Sequence, residues 1–180
     1  DFSIIAGTKS ITYPGTGAGY LDDVAGDVLN AQGPEGAGKG LRPRNPSSTR
    51  ELLIAFPTTG YEDIVMNFAT TRTTQGASEQ SYSYSTDGGT TFITTGLPVT
   101  TFSPTVDTYG LVTLDFSSIA GANNNPNFIV KINFGGTTAA GTSGNNRFDN
   151  ITVNGVAMEG TQDTTAPTVA ITPINNAVYT

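Results

Sequence analysis

The sequence predicts an all-β fold, a two-sheet antiparallel β-sandwich of the jelly-roll type. Through nearly all of residues 1–160, apolar and polar residues alternate with a period of two, the period of a strand with one buried face. The chain also contains 22 Gly and 10 Pro, many of which stand between these segments as turn formers. Roughly eight or more short strands at regular spacing favour two packed sheets. We therefore expect one full domain over residues 1–160.

Individual segments support this assignment. The segment "ELLIAF" at 51–56 is apolar on both sides of the strand, which predicts a strand buried on both faces. The segment "NFIVKINF" at 127–134 places apolar side chains on one face and Lys131 and Asn133 on the other, which predicts one buried face. Helical candidates are few and short. The longest, "YLDDVAGDVLNA" at 20–31, has only weak helical spacing.

A hairpin is predicted in the middle of the chain. The segments 78–85 ("SEQSYSYS") and 90–95 ("TTFITT") flank the turn formers Asp87-Gly88-Gly89. Tyr82 and Tyr84 share one face of the first of these strands and alternate with serines. We expect that tyrosine face to point into the core.

Composition excludes several classes of chemistry. The chain has 8 Lys plus Arg against 15 Asp plus Glu, a net charge of -7, and neither Cys nor His. Disulfides, thiolate metal sites, the usual zinc sites and Ser-His-Asp catalysis are therefore excluded within this chain. Any metal bound by the remaining oxygen ligands should resemble calcium. A pI of about 4.3 argues against nucleic acid as a partner, and no apolar run approaches the ~20 residues of a membrane span.

The C-terminal segment differs from the rest of the chain. Residues 161–180, "TQDTTAPTVAITPINNAVYT", begin with a polar linker and continue with a short alternating strand that resembles the first strand of a bacterial Ig-like repeat. The chain opens directly on "DFSII", with no signal peptide. We expect a segment of a longer secreted or cell-surface protein in which neighbouring domains are covalently linked.

The scarce cations gather in one place. Four of them fall within a dozen residues: Lys39, Arg42, Arg44 and Arg50. In an extended segment, Arg42 and Arg44 lie on the same face about 6.5–7 Å apart, where they could clamp a carboxylate or sulfate of a ligand. The alternative is structural, with the pair fastening the acidic segment 22–27 or Glu51 to the sheet. Arg72 joins this surface if its strand is adjacent, and otherwise ends its strand in solvent.

Four strings together carry a family resemblance: "LRPRNPSSTRELLIAFPTTGYEDIVMNFATTR", "SYSTDGGTTF", "DFSSIAGANNNPNFIVKINF" and "RFDNITVNG". They resemble a β-sandwich module of secreted multidomain proteins from Bacteroidetes-type bacteria, over about residues 1–155. The closing "NNRFDNITVNG" is also similar to the last core strand of jelly-roll carbohydrate-binding modules. The resemblance implies carbohydrate binding, on a sheet face or at edge loops. It also implies a structural calcium away from the sugar.

Asp149 is the leading calcium candidate. It begins the last predicted strand on the face of the apolar residues that follow it, so we expect it on the core side. A carboxylate there needs a cation or several N–H donors. By analogy with the modules that the chain resembles, the partner is calcium, with Asp1 as a co-ligand and Asp27 as a further candidate. The alternatives are Arg147, a cluster of N–H donors, or solvent.

Aromatic side chains supply the other candidate sugar contacts. Tyr13 and Tyr20 bracket the segment "PGTGAG" and could form the rim of a site, because sugar C–H faces pack against exposed rings. The chain contains no Trp, which disfavours a flat platform of the cellulose-binding type.

These observations predict a non-catalytic carbohydrate-binding module that attaches a secreted enzyme or a cell to a polysaccharide. The arginines favour an anionic polymer, either sulfated or rich in uronic acid. The expected sugar contacts are Arg42, Arg44, Arg72, Tyr13 and Tyr20, and the expected calcium ligands are Asp149, Asp1 and Asp27. The alternative is a structural or adhesive bead of a bacterial surface protein. We do not expect an enzyme, because no motif orders the carboxylates into the pair that a glycosidase needs.

Overall fold

A computed structural model describes residues 9–34 and 36–159. Within these residues the regular structure is almost entirely β, and a single 3₁₀ turn, Ala120–Ala122, is the only helical element. The strands are β1 (Ser10–Thr12), β2 (Leu21–Ala25), β3 (Lys39–Pro43), β4 (Glu51–Ala55), β5 (Tyr61–Arg72), β6 (Glu79–Ser85), β7 (Thr101–Phe102), β8 (Gly110–Asp115), β9 (Ile129–Gly135) and β10 (Asn146–Ala157). The predicted all-β class is confirmed.

The strands form two sheets of five, so the predicted sandwich is also confirmed. The first sheet has the strand order β1-β4-β9-β6-β7, and the second sheet has the order β2-β3-β10-β5-β8. The strand pairs in both sheets are antiparallel. Among the described strands, only β2–β3 and β6–β7 are neighbours both in sequence and in a sheet. The chain therefore crosses between the sheets at most connections, as a jelly roll does.

Aromatic side chains form the centre of the core between the sheets. Phe128, which immediately precedes β9, is fully buried and contacts Phe56, Tyr84 and Phe116 at ring-centroid distances of 5.4, 6.0 and 5.0 Å. Two of these contacts are edge-to-face, an arrangement that the ring quadrupole favours. Tyr82 is buried as well, so both tyrosines of β6 lie in the core as predicted.

The first sheet has one buried face and one open face. On β9, Val130, Ile132 and Phe134 are buried. Lys131 and Asn133 point outward and stay partly exposed, as predicted, and Ile129 shares their face. On β4, Leu52 and Ile54 are buried but Leu53 is only partly buried. The prediction that segment 51–56 is buried on both faces is therefore wrong, because the outward face of the first sheet meets solvent.

The segment with weak helical spacing, 20–31, contains a strand and not a helix. Residues 21–25 form β2, which pairs with β3 from Leu21 opposite Pro43 to Ala25 opposite Lys39. Sheet pairing overrides a weak helical period because each paired residue gains a tertiary hydrogen-bonding partner. The domain boundary near residue 160 and the Ig-like strand in 161–180 fall outside the described residues, so they stay predictions.

The aromatic core should dominate stability. Phe128→Ala should lower the free energy of unfolding by about 3–5 kcal/mol, because it removes a ring that touches both sheets and leaves a cavity. Denaturant unfolding followed by circular dichroism measures the change. The control is Leu111→Ala, since Leu111 is 48% exposed on β8 and should cost less than about 1 kcal/mol. Equal losses for the two variants would contradict this account of the core.

Candidate functional site

Strands β2 and β3 bring the predicted arginines beside an acidic residue. Asp22 stands directly opposite Arg42 in the register of the two strands, so their side chains project from the same face. The backbone N–H of Arg44 donates to the carbonyl of Tyr20 at 2.9 Å, which continues the pairing past the end of β3. We call the group Tyr20, Asp22, Arg42 and Arg44 the arginine ledge.

Asp22 binds both guanidinium groups of the ledge. Arg42 donates from Nε and Nη2 to the two oxygens of Asp22 at 2.8 Å each, a bidentate pair. Arg44 donates from Nε to Oδ2 of the same carboxylate at 3.1 Å. The hydrogen bond from Arg42 holds the pKa of the Asp22 carboxyl below its ordinary value. These contacts are the structural tie that the sequence offered as the alternative to a ligand clamp.

Tyr20 is the most exposed part of the ledge. Its side chain is 53% exposed, and the guanidinium carbon of Arg44 lies 5.2 Å from the ring centroid. A cation at that distance is attracted to the ring face, so the contact limits the movement of the Tyr20 side chain. Tyr20 is therefore accessible from solvent, and its role as a sugar contact stays a prediction.

Tyr13 is not at a rim, contrary to the prediction. It is only 8% exposed, and its ring packs edge-on against Phe134 at 5.8 Å. Burial raises the pKa of the Tyr13 hydroxyl to about 12. The Arg50 guanidinium donates to the carbonyls of Tyr13 and Gly17 at 2.8 and 2.7 Å and so fastens the loop between them. The loop turns the Tyr13 ring inward, where no ligand can stack on it.

Arg72 does not join the arginine ledge. Its Nε donates to the carbonyl of Pro104 at 2.9 Å, and its Nη1 donates to the carbonyls of Thr73 and Thr74 at 3.3 and 3.1 Å. Arg72 therefore ties the end of β5 to the segment that precedes β8. Neither of the two outcomes considered for it from the sequence, a shared surface or a solvated strand end, describes these contacts.

Asp149 is buried, but on the other side of its strand from the predicted one. The neighbouring Phe148 faces the core, and the register of β10 shifts between Asp149 and Thr152, which breaks the alternation. Oδ2 of Asp149 accepts the backbone N–H of Asp27 at 2.5 Å, and Oδ1 accepts that of Asn150 at 2.9 Å. Asp149 is therefore satisfied by backbone N–H donors, which was one of the predicted alternatives to calcium.

The described residues do not by themselves form a calcium cage. Calcium takes 6–8 oxygen ligands, whereas the oxygens of Asp149 already accept N–H groups and Oδ1 of Asp27 accepts the N–H of Leu29 at 2.8 Å. In residues 9–34 and 36–159, no three acidic, His or Cys side chains lie close enough to hold a metal. The proposed co-ligand Asp1 lies outside the described residues. Calcium therefore stays a prediction.

A second surface, which the sequence analysis did not identify as a site, lies on the open face of the first sheet. We call it the polar sheet face. Its members alternate with buried residues on three neighbouring strands: Glu51 on β4, Lys131 and Asn133 on β9, and Ser81 and Ser83 on β6. Asn133 stands opposite both Glu51 and Ser81, while Lys131 stands opposite Ser83. Glu51, Asn133 and Ser81 thus form one polar row across the three strands. The second row contains Lys131 and Ser83 and ends at Leu53 on β4.

One ion pair orients the polar sheet face. Nζ of Lys131 lies 3.5 Å from Oε2 of Glu51, and their side chains are 19% and 34% exposed. Partial burial weakens screening by solvent, so the two charges restrain each other more than a fully exposed pair would.

A pocket adjoins the polar sheet face at the start of β4. Its volume is about 290 Å³, and it is lined by Pro14, Gly15, Ser48, Thr49, Arg50, Glu51 and Asn133. Arg50 shapes it indirectly, since its hydrogen bonds hold the loop 13–17 beside β4. The surface therefore combines a row of partly exposed donors and acceptors with a concave end.

The predicted turn at 87–89 borders the other side of this face, and Asp87 organises it. The predicted second strand, 90–95, does not form, and a single bridge from Ile93 to Tyr84 joins this segment to β6. The carboxylate of Asp87 accepts the Ser85 hydroxyl at 2.6 Å, the Thr91 hydroxyl at 2.6 Å and the Thr91 backbone N–H at 3.0 Å. The Ser85 oxygen accepts the N–H of Gly89 at 2.8 Å. These bonds, led by that of Ser85, hold the pKa of Asp87 at about 2. We call residues 85–92 the Asp87 hairpin.

Comparison with solved structures shows this fold among carbohydrate-binding modules. The CBM22-1 xylan-binding domain of Paenibacillus barcinonensis Xyn10C matches with a TM-score of 0.53 at 9% identity, over 86% of this chain and 99% of that one. The family 11 carbohydrate-binding module of Clostridium thermocellum, in complex with a β-1,3-1,4-mixed-linked tetrasaccharide, matches with a TM-score of 0.50 at 14% identity, over 87% and 95%. The chain therefore shares its β-sandwich fold with carbohydrate-binding modules.

An adhesin domain shares the same fold. The K2 cleaved adhesin domain of Lys-gingipain matches with a TM-score of 0.50 at 8% identity, over 78% of this chain and 86% of that one. No family model matches the sequence, and the curated proteins gave no significant match. Within the described residues, no helix combines the length and apolarity that a membrane crossing requires.

The ion pairs of the arginine ledge should contribute measurably to stability. Asp22→Asn should lower the free energy of unfolding by about 1 kcal/mol, because it leaves two partly buried guanidinium groups without their carboxylate. The matched control is Asp23→Asn, whose partner Lys39 is 70% exposed, and it should cost less than about 0.5 kcal/mol. Chemical denaturation measures both, and a larger loss for Asp23→Asn would refute the structural role of Asp22.

The Asp87 hairpin should make stability depend on pH in the acid range. The pKa of Asp87 is about 2 in the folded protein, against about 3.9 for an unfolded chain. Because folding lowers this pKa, the stabilisation is fully present above about pH 4 and is lost as the pH falls through about 2. The stability difference between the wild type and Asp87→Asn should therefore shrink between about pH 5 and pH 2. A difference that stays constant over that range would show that the carboxylate does not stabilise the turn.

Proposed function

We propose that this chain is a non-catalytic carbohydrate-binding module whose polysaccharide lies on the polar sheet face. The observation that carries the proposal is the row Glu51, Asn133 and Ser81, which continues into a pocket of about 290 Å³. Polysaccharides present neighbouring hydroxyl groups that both donate and accept hydrogen bonds. A carboxylate, an amide and hydroxyls on adjacent strands, about 4.8 Å apart, offer the complementary groups on a rigid support.

The structural neighbours support this assignment of ligand class. One of them is named for xylan binding, and another contains a mixed-linked β-glucan tetrasaccharide. Their identity to this chain is low, so they indicate the class of ligand and not the particular sugar. By the same inference the module works outside the cell, secreted or at the cell surface, linked to further domains.

The recognition that we propose reads hydroxyl groups rather than anionic groups. The preference for sulfate or uronic acid was predicted from Arg42 and Arg44, but both guanidinium groups are already paired with the carboxylate of Asp22. On the polar sheet face, Lys131 is likewise paired with Glu51. We therefore expect neutral polymers to bind. If the protein instead preferred anionic polymers, its affinity would fall as the salt concentration rises.

A structural or adhesive bead is the second candidate function. The internal ion pairs of Arg42 and Arg44 favour it, because a bead without a ligand would use its arginines in this way. The adhesin domain with the same fold is consistent with it. In that case the polar sheet face is only a solvated surface, and no polymer should bind there.

Affinity electrophoresis separates the two candidates. The purified domain is run through gels that contain xylan, mixed-linkage β-glucan, laminarin, alginate, fucoidan or no polymer. The double variant Asn133→Ala/Ser81→Ala should lose at least about tenfold in affinity for the retarding polymer, because it removes two hydrogen-bonding groups worth about 1 kcal/mol each.

Two controls make the result specific to a surface. Asn67→Ala removes a partly exposed amide from the second sheet, where Asn67 accepts a hydrogen bond from Thr113, and it should leave retardation unchanged. Arg42→Ala/Arg44→Ala tests the arginine ledge. Loss of binding in the arginine variant alone would move the site to the ledge, and no retardation by any polymer would favour the bead.

A further inference from the structure

One aromatic ring stands at the border of the polar sheet face. Phe92 is the last residue of the Asp87 hairpin, and Nζ of Lys131 lies 3.9 Å from its ring centroid. Phe92 is partly exposed, and Lys131 covers one side of its ring. The same Nζ lies 3.5 Å from Oε2 of Glu51, so Lys131 stands between the ring and the Glu51 end of the polar row.

The hairpin fixes the position of this ring from both sides. After Phe92, the N–H and carbonyl of Ile93 exchange hydrogen bonds with those of Tyr84 at 2.9 and 3.0 Å, so the chain is rejoined to β6. Before Phe92, the carboxylate of Asp87 accepts hydrogen bonds from the N–H and the hydroxyl of Thr91 at 3.0 and 2.6 Å. Phe92 therefore has ordered backbone immediately before and after it.

We propose that Phe92 is the stacking residue of the glycan site and that Asp87 is the positioning residue that holds it there. This inference rests on the proposed function. A pyranose ring would stack on the side of the phenyl ring away from Lys131, while neighbouring sugar units of the same polymer reach Glu51 and Asn133. Asp87 does not touch the sugar and acts only through the geometry of the hairpin.

The stacking arrangement narrows the class of sugar. A phenyl ring offers no hydrogen bond, so it selects a sugar face that presents C–H groups. Pyranoses whose hydroxyls are all equatorial, as in xylose or glucose polymers linked β, have such faces. An axial hydroxyl directed at the ring would lose a water partner without gaining another. The site should therefore prefer β-xylan or β-glucan backbones to β-mannan, whose 2-hydroxyl is axial.

Binding measurements with Phe92→Ala test the stacking. Isothermal titration of the full chain with soluble xylan, mixed-linkage β-glucan and β-mannan should show about a tenfold loss of affinity in this variant for the polymer that binds best. Leu111→Ala on the second sheet is the control and should bind like the wild type. Circular dichroism and thermal unfolding confirm that both variants are folded.

Two further variants test the role of Asp87. Asp87→Asn should weaken binding about threefold or more. Asp115→Asn, whose carboxylate accepts the N–H of Ser117 in a local turn on the second sheet, should leave affinity unchanged even if it lowers stability. Because the chain has no Trp, Phe92→Trp places a single indole in the hairpin. Its emission should shift to the blue on adding polymer, and Asp87→Asn in that background should shift the emission of the free protein to the red.

The outcomes separate this inference from the proposed function. If none of the three polymers binds the wild type, this inference fails, and the proposed function fails with it only if no polymer of the electrophoresis series retards the domain. If a polymer binds and Phe92→Ala binds it as tightly as the wild type does, the stacking role is overturned while the function stands. If Phe92→Ala weakens binding but Asp87→Asn changes neither affinity nor emission, the positioning role of Asp87 is overturned.

Discussion

The alternation of side chains along β9 is the constraint on which the rest of this structure depends. Val130, Ile132 and Phe134 point into the sandwich, where Phe134 meets Tyr13 and Phe148, so Lys131 and Asn133 point to the opposite side. Because β9 lies in the middle of the first sheet, its outward residues are flanked by those of β4 and β6. The same pairing that closes the core therefore assembles the polar sheet face, and a shift of one residue in register would destroy both.

The scarce cations have separate structural tasks. Arg42 and Arg44 share the carboxylate of Asp22, while Arg50 and Arg72 bind backbone carbonyls of loops. In each case a guanidinium group fastens an irregular segment or an edge strand to a sheet, for which its several donors in a fixed plane are well suited. With these cations engaged inside the molecule, recognition of a ligand is left to groups that are less strongly paired. Because these arginines are paired within the molecule, the basic cluster is prominent in the sequence but is not the surface that we propose for the glycan.

The fold was predictable from sequence because a period of two is a local property of each strand, and the outward position of Lys131 and Asn133 was predicted correctly on that basis. The site was harder to predict because its members come from β4, β6 and β9, which are far apart in the chain. The apolar segment 51–56 was predicted to be buried on both faces, so the open face to which Glu51 belongs was not identified. For Asp149, a register shift in β10 places the side chain on the face away from the core. The residue pattern of the strand does not indicate such a shift. The predicted rim position of Tyr13 was wrong because its loop is held by Arg50, which is distant in the sequence, and such a contact leaves no local pattern.

The most direct test of the central claim is residue-level mapping of the glycan by ¹⁵N-edited NMR. Soluble oligosaccharide from the polymer that binds best would be titrated into the labelled domain while backbone amide shifts are followed. Our account predicts the largest changes at the polar sheet face, around Ser81, Lys131 and Asn133. Changes confined to the arginine ledge around Tyr20 and Arg44 would contradict it.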